Sequence, residues 1–219
     1  MGVKLHLPFE KIYVLSLADY PERKQSFEKQ IELLNIDNEI NYWYSVTHPH
    51  VRMIANYLKR NQKFKWGGVG NGNAFNCTRE HYNIIKQAYY RGIESVLVFE
   101  DDFIFNDVEK TINLFSRKLP DDWKLIQYAY SNGTKEEFDE PVLNFFELVP
   151  ITEENHHWST SCYALSRDGM KYYIDYMSKE YSVADYPLYE SYKYISGCYC
   201  TNENICGFNE NLKTTIQEE

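Results

Sequence analysis

Short apolar runs alternate along the chain with longer stretches in which hydrophobic residues recur every three or four positions. Lys11 to Leu17 (KIYVLSL) is rich in β-formers and reads as a buried strand. Pro21 then opens a helix over about Glu22 to Leu34, with Phe27, Ile31 and Leu34 at helical spacing and Asp19 as its expected cap. Ile40 to Val46 is a second strand, Val51 to Arg60 a short helix, and Gly67 to Gly72 a glycine-rich loop. Helical spacing returns from about Ala74 to Arg91 and stops at Gly92. Ser95 to Phe99 (SVLVF) is apolar on both faces, as a central strand of a covered sheet should be. Asp107 caps a helix to about Lys118, Pro120 stops it, and Trp123 to Tyr130 is another strand. Further strands are expected over Val142 to Val149 and Ser159 to Leu165, and a helix from Arg167 to about Ser178.

Strands alternating with helices predict an α/β fold in which helices flank a central mixed, mostly parallel sheet. The 219 residues suit a single domain over 1–219, and 43% hydrophobic residues are enough for a sizeable core. There is no repeat and no low-complexity run, and the polar stretch Ser131 to Glu140 reads as a loop. The formal net charge of −9 disfavours nucleic acid and anionic membrane as partners. It would equally repel a free nucleotide diphosphate, so a donor of that kind needs a bound cation or a local group of Lys and Arg.

The five cysteines are Cys77, Cys162, Cys198, Cys200 and Cys206, and the last three fit no standard zinc spacing. Reduced thiols and a cytoplasmic setting are the expectation. No segment approaches a membrane span, and the start lacks the apolar stretch of a signal peptide. Most of the 20 tyrosines are expected to fill the core, the rest being suited to stacking on sugar rings or bases.

The sharpest chemical feature is Glu100-Asp101-Asp102, placed directly after the strongest strand. Strand ends in open α/β sheets form the crevice where ligands bind. In extended chain Glu100 and Asp102 share a face while Asp101 looks elsewhere. Two carboxylates aimed at one point repel unless a cation joins them, and oxygen ligands suit Mg²⁺ or Mn²⁺. A solvated acidic turn is the plainer alternative. Asp102 is the expected principal ligand, with Glu100 or Asp101 assisting. His157, in His156-His157-Trp158, is a candidate to complete the shell, against a polar loop as the alternative. Arg23, at a helix start beside a strand end, is placed for phosphate or nucleobase contact, or is an ordinary surface arginine. Lys213, with Thr214 and Thr215, could close over a pyrophosphate, and Trp66 with Gly67-Gly68 reads as a lid.

The order of these pieces resembles glycosyltransferase family 25, the group of bacterial lipopolysaccharide and procollagen galactosyltransferases with a GT-A-type fold. Ile12 to Leu17 followed by Pro21-Glu22-Arg23 looks like the family's first strand and helix opening, with Ser16 where the family usually has Asn. Asn76-Cys77-Thr78-Arg79-Glu80-His81 keeps the Cys and His of its next helix start, without the Gly and Ser. Val96 to Asp102 matches its apolar strand ending in Glu-Asp-Asp, and Pro120 to Ile126 its following strand. Ser161 to Gly169 resembles its later Gly-Thr-x-x-Tyr-x-x-Ser-x-x-Gly segment. The resemblance covers roughly residues 11 to 180.

What the resemblance implies is a UDP-sugar donor, Mn²⁺ or Mg²⁺, a glycan or glycoconjugate acceptor, galactose as the favoured sugar, and inversion. Ser16, Leu17, Arg23, His81, Glu100, Asp101 and Lys213 would then lie on the donor side. Asp185, in Ala-Asp-Tyr-Pro, resembles the family's late acidic position and is the first candidate for the base that takes the acceptor proton. Glu190 and Asp168 are its competitors. A nucleotidyltransferase or kinase would also use carboxylates and Mg²⁺, but there is no G-x-x-x-x-G-K-[ST] loop. A nucleotide-sugar or carbohydrate-binding module without turnover is the non-enzymatic alternative.

Overall fold

The computed structural model describes residues 4–45, 72–129, 146–179, 182–208 and 212. Elements in chain order are β1 (Lys11–Leu17), α1 (Pro21–Leu34), β2 (Ile40–Ser45), α2 (Gly72–Tyr90), β3 (Ser95–Glu100) and β4 (Phe103–Phe105). They continue with α3 (Val108–Phe115), β5 (Leu125–Gln127), β6 (Leu148–Pro150), β7 (Cys162–Ser166) and α4 (Arg167–Lys179). The one-turn α5 (Tyr186–Tyr189), a 3₁₀ turn (Ser191–Lys193), β8 (Cys198–Thr201) and β9 (Cys206–Phe208) complete the described part. The expected helix at Val51 to Arg60, the loop from Gly67 and its Trp66 lid, Lys213 to Thr215 and the Ser131 to Glu140 loop lie outside the described residues.

Seven of these strands form one sheet in the order β2-β1-β3-β7-β5-β8-β6, and β4 pairs with β9 in a separate ribbon. The sheet is mixed, as expected. Its parallel pairings are β1–β2, β1–β3 and β5–β8, balanced by antiparallel β3–β7, β5–β7 and β6–β8. The parallel character is therefore weaker than the sequence reading had it, because β7 enters against β3 and reverses the direction of the sheet.

Both faces of β3 are covered. Leu97 and Phe99 join the core containing Phe27 of α1 and Leu114 and Phe115 of α3. Val96 and Val98 join the other, with Ile84 and Ile85 of α2 and Met170 and Tyr173 of α4. This explains why β3 shows no polar face in sequence. Full burial of one such aliphatic or aromatic side chain is worth about 1.5–3 kcal/mol.

Element ends differ from the expectations for local reasons. Tyr20, not Asp19, occupies the cap position of α1, with no side-chain cap bond, so the fixed φ of Pro21 carries the start. Asp107 caps α3 as expected, accepting from the Lys110 amide at 2.9 Å. That helix ends at Phe115, where the Ser116 hydroxyl turns back to the Ile112 carbonyl. β5 stops at Gln127 because the amides of Tyr128 and Ala129 both donate to the Cys162 carbonyl, which breaks the ladder. β7 starts only at Cys162, since the Ser161 amide donates to the Ser159 hydroxyl in a local turn. Of the expected strand Val142 to Val149, residues 142–145 lie outside the described residues, and Leu148 and Val149 fall in β6. The short β4, β8 and β9 carry too few residues to show a period. All five cysteines are free thiols.

Gly169 explains itself through packing. A Cβ there would stand 2.0 Å from the Lys124 carbonyl oxygen, so α4 rests directly on the backbone before β5. Gly169→Ala should therefore destabilise the protein by about 1–3 kcal/mol, read as a lower urea midpoint with an unchanged slope. A midpoint equal to the parent's would show that this close approach is not tight in solution.

Candidate active site

β1 and β3 run parallel and end side by side, and antiparallel β7 begins at the same edge. The acidic triplet thus meets the end of β1, the residues before β7, and the helices α1 and α2. Strand alternation holds only as far as Glu100, the last residue of β3, which turns toward α2. Asp101 and Asp102 lie in a turn, which brings both to Arg23 of α1 instead of pairing Asp102 with Glu100 as extended chain would.

Glu100 Oε1 lies 3.1 Å from His81 Nε2 and accepts from the Thr160 hydroxyl at 2.5 Å. The other ring nitrogen of His81 lies 3.0 Å from the Tyr163 hydroxyl, and the imidazole is fully buried. Burial by itself raises the Glu100 pKa, but the His81 hydrogen bond and charge, followed by Thr160, outweigh it and hold the carboxyl below its usual value. Glu100 is accordingly fixed and ionised.

Asp101 is fully buried. Its Oδ2 accepts from the Ser16 hydroxyl at 2.6 Å and the Leu17 amide at 3.3 Å. Its Oδ1 sits 2.8 Å from Arg23 Nε. Arg23, itself only 5% exposed, reaches Asp102 Oδ2 with its second nitrogen at 2.6 Å. Arg23, Ser16 and Leu17 are therefore committed to holding the two aspartates, although Asp101 Oδ1 faces Arg23 Nε as an ion pair without hydrogen-bond geometry. Burial raises the Asp101 pKa, with Arg23 and Ser16 opposing.

Asp102 is different. Its Oδ1 is buried with neither a hydrogen bond nor an ion-pair partner among the described residues, whereas Asp101 Oδ1 at least faces Arg23. Burial, then repulsion from Glu100, lifts its pKa to about 7 against the pull of Arg23. A buried carboxylate oxygen without a donor is costly unless something cationic satisfies it. Asp185 shares this environment. Its segment is tied to α2 by the Ala184 amide donating to the Thr78 hydroxyl at 3.2 Å, and to α4 by the Tyr173 hydroxyl donating to the Ala184 carbonyl at 2.9 Å. Burial, then Glu100, raises Asp185 to about 6, with His81 opposing. Cys77 marks the common ground, its thiol raised by burial and then by Glu100, Asp102 and Asp185 together.

Among the described residues, one trio of potential metal-ligand atoms falls within 4.8 Å, from Cys77, His81 and Glu100. It suits a cation poorly, because both His81 nitrogens are engaged and the thiol is held protonated. His157 is not in that trio. It lies before β7, where its carbonyl accepts from Gln127 Nε2 at 2.9 Å, and burial, then His156, lowers its imidazole pKa. Lys213 lies outside the described residues. Thr78, Thr160 and Tyr163 were not singled out from sequence. Tyr163 shares the parity of Leu165 on the α2 side of β7, and the Thr-x-x-Tyr spacing of the resemblance falls on Thr160.

Comparison with known proteins places this geometry in context. Residues 9–187 match the family model described as glycosyltransferase family 25 (LPS biosynthesis protein). No curated protein matches the chain. One similar solved structure is described as a glycosyltransferase involved in the glycosylation of the major capsid of PBCV-1. It is 11% identical, with 87% of this chain and 80% of that chain covered and a TM-score of 0.44. No helix among the described residues is long and apolar enough to cross a membrane.

Removing the shared cation tests the aspartate cradle. Arg23→Met should leave two buried carboxylates uncompensated and cost about 3–5 kcal/mol in urea unfolding at neutral pH. Arg23→Lys should recover only part, because one ammonium cannot reproduce the fork that spans both acids. Equal stability of parent and Arg23→Met would remove the pair from any structural role.

Proposed function

The chain belongs to glycosyltransferase family 25, and from that premise we propose that it transfers a hexose, galactose first among them, from a UDP-sugar to an acceptor hydroxyl with inversion. A Mn²⁺ or Mg²⁺ ion assists, and the acceptor is a glycan or glycoconjugate. The family's description as a lipopolysaccharide biosynthesis protein favours an acceptor of that type.

The observation that carries the reading is Asp102 Oδ1, buried and unpartnered beside the ionised Glu100. That oxygen fits a hard cation with oxygen ligands. Asp102 would hold the ion with help from Glu100, and His157 is the remaining protein candidate. Bound there, the cation would offset the charge that develops on the departing diphosphate. Asp101, Ser16, Leu17 and Arg23 hold the turn that aims Asp102, on the donor side of the cleft. His81 and Thr160 fix Glu100 in one orientation. Lys213 closes over the pyrophosphate in this reading.

Asp185 receives the acceptor proton. The acceptor oxygen forms its bond to the anomeric carbon from one face, and its proton passes to the Asp185 carboxylate. The bond from that carbon to the diphosphate oxygen breaks on the other face, its electron pair leaving with UDP. A carboxyl raised to about 6 is ionised at neutral pH yet more basic than an ordinary aspartate, which suits a general base.

Asp102→Asn should abolish divalent-ion-dependent UDP-sugar binding in calorimetry without lowering the thermal midpoint. Unaltered donor affinity would remove Asp102 from the metal site. Asp185→Asn should slow transfer by about 10²–10⁴-fold while donor binding stays near normal. In the parent, the rate should rise with pH through about 6 as Asp185 loses its proton, and level off above. Transfer by Asp185→Asn within a few-fold of the parent would exclude it as the base.

A further inference from the structure

The outer face of α4 carries a groove of about 430 Å³ that the transfer chemistry does not use. Its size falls within the usual range for small-ligand sites, about 300–1,000 Å³. The groove runs along α4 and is closed by Tyr194 and Ile195 after the 3₁₀ turn. Tyr172 and Tyr176 stand one helical turn apart with ring centroids 6.0 Å from each other. Tyr194, 61% exposed, stacks on Tyr172 at 6.3 Å and meets Tyr176 at 5.9 Å. The hydroxyls of Tyr172 and Tyr176 already donate to the Pro187 carbonyl at 2.9 Å and to Glu190 at 2.8 Å. What the two residues offer the groove is therefore their rings.

The charges narrow the ligand. Lys124, Lys171 and Lys179 line the same space as Asp168 and Asp175, and Lys171 and Asp175 are paired at 2.5 Å along the helix. A polyphosphate would meet the aspartates, and a lipid chain would meet five charged side chains. Neutral pyranose units suit both features, since their C–H faces lie on aromatic rings while their hydroxyls hydrogen-bond to either sign of charge.

A line of rings in contact leads from the groove toward the transfer site. The Tyr176 ring is 6.0 Å from that of Tyr186, the residue next to Asp185. Tyr186 is in turn 5.6 Å from Trp158, two positions before the Thr160 that holds Glu100. We propose that the α4 groove binds the distal, neutral sugar units of an oligosaccharide acceptor, so that the protein selects a glycan chain over a single sugar. This rests on the transferase reading, in which Asp185 faces the acceptor hydroxyl. Contacts far from the reacting centre of this kind can position the acceptor without touching it.

The test measures binding by calorimetry of linear neutral pentasaccharides of glucose, galactose and mannose, each against its methyl glycoside. At least one pentasaccharide should bind the parent about tenfold or more tighter than its methyl glycoside, and Tyr194→Ala should erase that advantage. Tyr194→Phe, which keeps the ring, should preserve it. Thermal midpoints of both variants establish that they are folded, which the exposure of Tyr194 favours. Equal binding of all pentasaccharides and methyl glycosides overturns the proposal, as does an advantage that survives Tyr194→Ala. UDP release from UDP-sugars with Mn²⁺ is measured separately on the parent. Its absence alongside a Tyr194-dependent pentasaccharide advantage would count against the transferase reading and leave the groove standing.

Discussion

The guanidinium of Arg23 lies between two adjacent carboxylates in a part of the protein that water barely reaches, and the placement of both aspartates after β3 follows from it. One nitrogen meets Asp101 at 2.8 Å and another meets Asp102 at 2.6 Å. Without that cation, two neighbouring aspartates could not remain ionised in a buried turn. Two aspartates share one arginine, so the compensation is incomplete. Asp101 has Ser16 and Leu17 on one oxygen and the Arg23 charge facing the other, whereas Asp102 Oδ1 has neither a hydrogen bond nor an ion pair among the described residues. The asymmetry separates an acid that supports the turn from an acid available to a ligand.

The other side of the sheet repeats the division by different means. Glu100 is held ionised by a histidine and a threonine hydroxyl, and His81 is itself oriented by Tyr163. The negative charge fixed there acts on Asp102 and Asp185, whose pKa values rise to about 7 and about 6. A carboxyl raised in the folded state favours folding below its unfolded pKa, and that contribution is lost as pH climbs through the folded value. For these two groups the loss runs from about pH 4 to about pH 7, so the cleft is electrostatically strained near neutrality. Strain of this sign is relieved by a cation or by a proton taken from a substrate, which is the chemistry expected of a sugar transferase.

The tyrosines divide in a way that composition cannot show. Tyr128, Tyr163 and Tyr173 are fully buried and belong to the two cores. Tyr172, Tyr176, Tyr186 and Tyr194 instead line the outside of α4 and the turn after Asp185, where polar groups occupy their hydroxyls or rims and leave their rings as surface. The same residue type thus fills the interior and builds a platform.

The sequence by itself determined β1, α1, α2, β3 and α4, because these segments carry enough residues for their hydrophobic period and end signals to be read. It also determined that Glu100 and Asp101 point to opposite faces, but not that the chain turns at Asp101 and Asp102 and brings both aspartates to Arg23, where extended chain would have paired Asp102 with Glu100. Short elements were not legible: β4, β8 and β9 are three or four residues long and take their conformation from the strands they pair with. Nor could the sequence show that Arg23 would turn inward to Asp101 and Asp102, because that depends on α1 lying across the end of β3. Thr160 meets Glu100 across 60 positions and Tyr163 meets His81 across 82. Contacts of that separation leave no local pattern, and only packing β7 antiparallel against β3 brings them together.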